Sequence, residues 1–384
     1  MNNTNLKAGK TTDSLLLKLL QDDFRPRLKK AVKELSADNH SSAPFAALVD
    51  LTTKCDLGCS WCIDKYVLSK NKEIPEKRML ELLEEFKALG VRSIVYFGGG
   101  EPMMYNKINE VLEKTHNLGI DYAINTNGIM LERASKTIAA TCSWIRISLD
   151  AASEEKYKEL HEGKDYFNKI VDNIKFLNKA KKGTTGTSFV VMESNVDEIC
   201  KAAKLVKSIG CDFIQFKPRY IPNIKNERSL SKYIEDLNNR VKKELEKARQ
   251  LEDSSFAVLV TGSMKTLLSS EPVNQRKSYT YCAAQQFVPL VTAYGVYVCP
   301  NLRGSEKGKI GDIATSSFRD IWESEQRRKI IKQINPSKDC NLACLRHQIN
   351  AVMNSAIESE KMGVNLLSLV KETKGSDITD RYFI

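Results

Sequence analysis

The sequence predicts an α/β fold: a serial repeat of strand and helix, followed by a smaller α+β module. Two observations carry this prediction. From residue 44 onward, short apolar, β-branched runs alternate with longer segments of helical spacing, the pattern of a parallel sheet joined by crossover helices. After Arg219 the alternation stops, and a cysteine-bearing stretch with a hairpin signature takes over.

The six runs are Phe45–Leu51, Ser93–Phe97, Tyr122–Asn125, Trp144–Leu149, Thr187–Met192 and Phe213–Phe216. Between the first two, Pro75 stands where a helix starts, and Met79, Leu82, Leu83 and Phe86 share one face. Gly90 then supplies a left-handed C-terminal cap. The later crossovers repeat the pattern with Ile108, Val111 and Leu112 before Gly119, then Ile170, Ile174 and Leu177, then Ile199, Ala203, Leu205 and Val206 before Gly210. Such a series closes into a barrel or stays an open doubly wound sheet, and periodicity does not separate the two. The unusual residues do point one way. Cys55, Gly98–Glu101, Asn125–Gly128, Ser148–Asp150, Glu193–Asn195 and Lys217–Arg219 all fall at or just after the C-terminal ends of runs, where a barrel builds its site. Beyond them come a charged helix around Ser229–Leu251, a β-like Phe256–Val260 and the stretch VPLVTAYGVYVCP, in which Gly295 marks a hairpin turn. The expected layout is an N-terminal helical extension (1–43), the βα region (44–225), a connecting helix (226–253), the cysteine-bearing module (254–350) and a C-terminal helical extension (351–384).

With 384 residues, 42% hydrophobic and 28% charged, the chain has a globular composition, and no uncharged apolar run reaches the roughly 18 residues a membrane helix needs. The segment Leu15–Leu20 is interrupted by Lys18 and followed by Asp22 and Asp23, so it reads as an amphipathic helix rather than a signal-peptide core. A cytoplasmic protein without a membrane partner is expected, and in a reducing compartment ten clustered cysteines point to metal. The net charge of +11 suits an anionic partner. Its basic residues are interleaved with acidic ones, as in Lys242–Arg249, and no RNA-binding module is visible, so nucleic acid is not the expected partner.

The segment KCDLGCSWC places Cys55, Cys59 and Cys62 within one loop after the first strand. Three structural thiols rarely cluster in a polar, glycine-containing loop, and structural zinc takes four ligands. Three thiolates on a four-iron cubane leave one iron open. The C-x3-C-x2-C spacing, with Trp61 before the third cysteine, resembles the cluster loop of the radical S-adenosylmethionine (SAM) superfamily. YFGGGEPMMY after the second strand is similar to that family's Gly-Gly-Glu motif, and INTNG and RISLDA close the third and fourth strands in matching order. The resemblance implies a partial (β/α)6 TIM-like barrel over residues 44–219, with a [4Fe–4S] cluster on Cys55, Cys59 and Cys62. SAM would chelate the open iron and, after one electron from a flavodoxin- or ferredoxin-type reductant, split into methionine and a 5′-deoxyadenosyl radical. It further implies that Gly99, Gly100 and Glu101 hold the methionine amine, that Ser148 faces the ribose, and that adenine lies along Val190–Asn195. Trp61, Asn127, Asn195 and Arg219 complete the implied cofactor-binding set. Turn chemistry is the other reading of Asn127 and Ser148. Lys217 and Arg219, at the end of the sixth strand, either bind a carboxylate or phosphate of SAM or substrate or form a solvated rim.

A second set, Cys282, Cys299, Cys340 and Cys344, flanks the hairpin and the segment DCNLAC. Four thiolates close a cluster completely, or hold zinc. The order of these residues resembles the SPASM and twitch extensions of radical SAM enzymes and implies one auxiliary [4Fe–4S] cluster. Cys142, Cys200 and Cys211 remain, and core packing accounts for Cys142 and Cys211. A fully ligated auxiliary cluster can accept an electron, so the leading expectation is oxidation of a sugar, a cyclitol or another small anionic substrate. Only 43 residues precede Pro44, short for the winged-helix peptide-recognition domain of many peptide maturases. The alternatives are a peptide maturase forming a cross-link or an oxidised residue, an RNA-modifying enzyme, and a non-catalytic electron carrier. Glu101 and the open three-cysteine site argue against a carrier.

Overall fold

The computed structural model describes residues 25–40, 42–219, 228–269, 277–340, 344 and 346–365. Its strands are β1 (Ala46–Asp50), β2 (Ser93–Tyr96), β3 (Asp121–Thr126), β4 (Trp144–Ser148), β5 (Thr184–Val191), β6 (Phe213–Pro218), β7 (Ala257–Val260), β8 (Leu290–Thr292), β9 (Gly295–Tyr297) and β10 (Lys309–Gly311). The chain divides into two compact units. One gathers residues 12–54, 67–123 and 274–384; the other gathers 1–11, 55–66 and 124–273, so the division falls within β3.

In the first unit β1 pairs in parallel with β2, Ala46 opposite Ser93 through Val49 opposite Tyr96. Its other edge pairs in parallel with β8, Leu48 opposite Leu290 and Asp50 opposite Thr292. The hairpin β8–β9 and strand β10 then continue antiparallel. A strand buried along both faces must be covered on both, and β1 is. The hairpin read from Gly295 is therefore present, but it extends the barrel sheet rather than standing apart, because the edge of β1 would otherwise carry unpaired backbone groups. Helix Arg25–Ser36 buries Leu28, Ala31, Val32 and Leu35 against Ile349, Met353, Ala356 and Ile357 of helix His347–Lys361. Those i, i+3, i+4, i+7 stripes make a docked pair of helices out of segments that read as extensions.

In the second unit β4, β5, β6 and β7 are all parallel, with Trp144 opposite Thr184, Gly186 opposite Phe213, and Phe213 opposite Ala257. Phe256–Val260, read as the start of the C-terminal module, supplies β7 and extends the βα sheet. β5 begins at Thr184, three residues before the apolar run. Threonine is β-branched and suits a strand, but its hydroxyl hides it from a hydropathy pattern. The outer face of this sheet is packed by helices: a Cβ on Gly128 would lie 2.7 Å from Ile147 and 3.2 Å from Ile170 of helix Phe167–Asn178. Among the described residues no helix is long and apolar enough to cross a membrane.

Candidate functional site

The loop carrying Cys55, Cys59 and Cys62 is fixed from several sides within its unit. Asn127, at the end of β3, donates its amide to the Asp56 carboxylate at 2.5 Å, and the Lys164 ammonium donates to the Asp56 carbonyl at 2.6 Å. The Cys62 N–H closes back on the Cys59 carbonyl at 3.1 Å. The Trp61 indole donates to the Asp150 carboxylate, two residues past β4, while its ring meets His161 at 5.1 Å. His161, 6% exposed, also stacks on Tyr157 at 4.2 Å and brings Nδ1 to 3.7 Å from the Cys59 sulfur. Burial, with the Lys164 charge, holds His161 down at about 4, so the ring is neutral at physiological pH. Burial pushes the Cys59 thiol up to about 12, and the nearby Asp150, Cys55 and Cys62 add to it. The Cys59 thiol therefore senses its two neighbours, and its proton would leave on binding to metal. Asp150 is itself raised to about 6 by burial, opposed by the Lys217 charge, the Val190 N–H and the Trp61 indole.

The Gly-Gly-Glu segment belongs to the other unit. Gly99 has φ +76°, and a Cβ there would lie 2.8 Å from the Asp50 carboxylate. At Gly100 a Cβ would lie 2.3 Å from the Lys54 carbonyl and 2.6 Å from that of Thr52. Only glycine lets these backbones approach. The Glu101 N–H donates to the Lys54 carbonyl at 2.7 Å, and its carboxylate caps the turn Pro102–Met104 by accepting the Met103 N–H at 3.0 Å. Beneath Gly99, buried Asp50 is clasped by Arg303, with Nε–Oδ2 at 2.6 Å and a second contact at 3.2 Å.

In that same unit the four C-terminal cysteines lie at element ends. Cys282 precedes the turn Ala283–Gln286, Cys299 precedes Pro300–Leu302, Cys340 follows helix Pro336–Asp339, and Cys344 precedes helix His347–Lys361. Residues 341–343 and 345 lie outside the described set. Burial, then the charges of Cys282, Cys344 and Cys299, push the Cys340 thiol up to about 12. Burial and then Cys299 push Cys282 to about 11, while the Asn350 amide donates to its sulfur at 3.4 Å. Thiols at Cys282, Cys340 and Cys344 that burial and neighbouring sulfurs push up, with an amide donor aimed at the Cys282 sulfur, suit an iron–sulfur cluster held by cysteine and tuned by hydrogen bonds.

The remaining residues singled out from the sequence fall as follows. The Asn127 amide bonds Asp56 and accepts the Ile129 N–H at 3.0 Å, so it positions the cysteine loop. Asn195 is buried, donates to the Asp150 and Val190 carbonyls at 2.9 Å and accepts the Met192 N–H at 2.7 Å, which ties β5 to the residues after β4. Ser148 is half-buried, 3.5 Å from the Ser188 hydroxyl, and Arg219 is exposed at the end of β6. Cys142 and Cys211 are buried. Sequence reasoning missed His161, the pin at Asp56 and the Arg303 clasp, because each is made by distant contact rather than by spacing.

The chain matches the Radical SAM superfamily over residues 49–206 and the SPASM iron–sulfur cluster-binding domain over residues 282–345. It belongs to the radical SAM superfamily, is an enzyme of that class with a C-terminal SPASM domain, and uses SAM and [4Fe–4S] clusters. Among known proteins it is similar to the mycofactocin maturase MftC of Mycolicibacterium smegmatis, 24% identical over 306 residues that cover 78% of this chain and 75% of that one. Its likeness to the GTP 3′,8-cyclase of Lactiplantibacillus plantarum is 27% over 179 residues, 44% of this chain and about half of that one. In fold it resembles Streptococcus suis SuiB bound to the precursor peptide SuiA, with TM-score 0.59, 19% identity, and 81% of this chain and 72% of that one covered. It also resembles anSMEcpe with bound AdoMet and the Kp18Cys peptide, with TM-score 0.54, 20% identity, and 75% and 83% covered. The fold is thus the α/β partial barrel with an auxiliary iron–sulfur domain.

Proposed function

We propose that this enzyme is a peptide maturase that oxidatively modifies a residue of a peptide, by cross-linking or dehydrogenation. The carrying observation is the extent of the likenesses. The likeness to the mycofactocin maturase covers 78% of this chain and 75% of that one, and two of the fold likenesses are to structures holding peptides, whereas the nucleotide cyclase matches over only about half its own length. This reading replaces the small sugar or cyclitol as the favoured substrate.

When bound, the two clusters and SAM supply a deoxyadenosyl radical that takes a substrate hydrogen atom, and an acceptor for the electron the substrate then gives up. The chain's own residues bind and orient. Cys55, Cys59 and Cys62 hold the first cluster, and Cys282, Cys299, Cys340 and Cys344 the second. Gly99 and Gly100 let the backbone approach the methionine moiety, and Glu101 accepts from its amine. Ser148 faces the ribose, and Arg219 lies at the rim. The Trp61–Asp150 bond keeps the cysteine loop in register with β4. A flavodoxin- or ferredoxin-type reductant in the cytoplasm supplies the electron.

The test presents the reconstituted enzyme, SAM and dithionite with a pool of peptides and, separately, a pool of cyclitols and sugars, read by mass spectrometry for loss of a hydrogen pair. Peptide modification is expected. Oxidation of polyols with every peptide unchanged would reinstate the small-substrate reading.

A further inference from the structure

The face of β4–β6 opposite the helices is polar, and its register can be read in rows. Arg146 pairs with Gly186 and that with Phe213; Ser148 with Ser188 and that with Gln215; Val190 pairs with Lys217 and takes the Asp150 carboxylate on its N–H at 2.6 Å. A packed barrel interior fills these positions with Val, Ile and Leu. Here the lowest row is closed by Phe213, whose ring occupies the place a Cβ on Gly186 would take, 2.4 Å away. Two cations stand on this face, Arg146 in that same row and Lys217 two rows above it. Arg146 donates to Gln215 at 2.6 Å and lies over the Trp144 ring at 5.7 Å. The Lys217 ammonium makes no hydrogen bond among the described residues. Both residues are half-buried, so each keeps some contact with solvent. Burial and the Arg146 charge together hold Lys217 down at about 8, so the pair carries an uncompensated cost that one carboxylate, Asp150, opposes only in part. A wall with two cations, two hydroxyls, an amide and one carboxylate has an electrostatic vacancy for one anion.

We propose that Arg146 and Lys217 form an anion-binding subsite on this wall that receives a carboxylate of the substrate. A planar guanidinium and an ammonium with free donors suit a carboxylate, and Phe213 gives the subsite an apolar floor that stops the ligand. Under the maturase reading the carboxylate is an acidic side chain or the C-terminus of the peptide. The assignment to a peptide rests on that reading; the subsite itself does not.

The experiment measures acetylation of Lys217 by trace acetic anhydride on the reconstituted holoenzyme with SAM bound, using peptide mass spectrometry and exposed lysines as internal references. The probes are N-acetyl-L-glutamate, neutral N-acetyl-L-glutamine, inorganic phosphate, and no addition. Saturating N-acetylglutamate is expected to slow Lys217 acetylation about tenfold, the protection of a ligand at about ten times its dissociation constant. N-acetylglutamine should give none, Arg146→Met should abolish the protection, and Arg146→Lys, which keeps the charge, should retain most of it. Three results would overturn the proposal: protection already complete with SAM alone, which would assign the cations to the cofactor; phosphate protecting where carboxylate does not; or equal protection in Arg146→Met. Carboxylate protection alongside polyol oxidation would sink the peptide reading alone, and peptide modification without protection would sink the subsite alone.

Discussion

Replacing Arg303 by methionine isolates the clasp that holds the Gly-Gly-Glu segment from below. Arg303 lies four residues beyond Cys299, and its guanidinium grips Asp50 with side-chain exposures of 2% and 1% while stacking over Phe97 at 5.2 Å. Truncating one partner of a buried pair leaves a desolvated charge and costs about 3–5 kcal/mol, whereas replacing both partners with groups of similar volume is close to neutral. For a folding unit of roughly 200 residues each kcal/mol is worth about 2–4 °C, so Arg303→Met should lower the melting temperature by roughly 6–20 °C. Asp50→Asn/Arg303→Met should recover most of that loss. The Asp50 carboxylate lies where a Cβ of Gly99 would go, so SAM affinity should fall in the single variant and return in the double. Thermal unfolding by circular dichroism and equilibrium dialysis with labelled SAM read both effects. A double variant as damaged as the single would refute the reasoning, because the loss would then come from packing and not from an uncompensated charge.

Three further outcomes follow from the same geometry. Gly100→Ala puts a methyl 2.3 Å from the Lys54 carbonyl, an overpacking of about 1–3 kcal/mol, and should weaken SAM binding in dialysis without changing iron content; unchanged binding would contradict the close-approach account. His161→Phe removes the ring nitrogen 3.7 Å from Cys59 and should shift the reduction potential of the three-cysteine cluster downward in an EPR-monitored titration, His161→Gln restoring part of it; an unmoved potential would leave His161 a packing residue. Lys217 is held at about 8 against an ordinary 10.5 by burial and the Arg146 charge. The folded chain then binds fewer protons than the unfolded one between those values, so the penalty is full below 8 and fades as pH rises to 10.5. Lys217→Met should therefore raise the melting temperature at pH 7 and gain less at pH 10; a gain that did not shrink would contradict it.

The strand order of the βα region was legible because apolar runs and capping glycines repeat there, and the cysteine loop because its spacing is a ligand pattern. What stayed hidden depended on long-range pairing. Nothing in LVT marks β8 as a partner for β1, since three residues carry too little periodicity, and the pairing arises from an edge that must be satisfied. Thr184 and Thr185 concealed the start of β5 behind their hydroxyls. The Cys59–His161 contact spans 102 residues and the Asp50–Arg303 clasp 253, and local spacing reports neither. The Asn195 amide bonds Asp150, Val190 and Met192, and its contact with Asp150 spans 45 residues, which local spacing does not report either.

The central claim is that the chain holds two clusters, an open one on Cys55, Cys59 and Cys62 and a closed one on Cys282, Cys299, Cys340 and Cys344. Anaerobic reconstitution, iron counting and a 5′-deoxyadenosine assay with SAM and dithionite, on the wild type and on Cys55→Ala/Cys59→Ala/Cys62→Ala, test it most directly. The account predicts about eight irons per chain, falling to about four in the triple variant with deoxyadenosine formation lost. Deoxyadenosine formed at the wild-type rate by the triple variant, or an iron content that the substitutions leave unchanged, would contradict it.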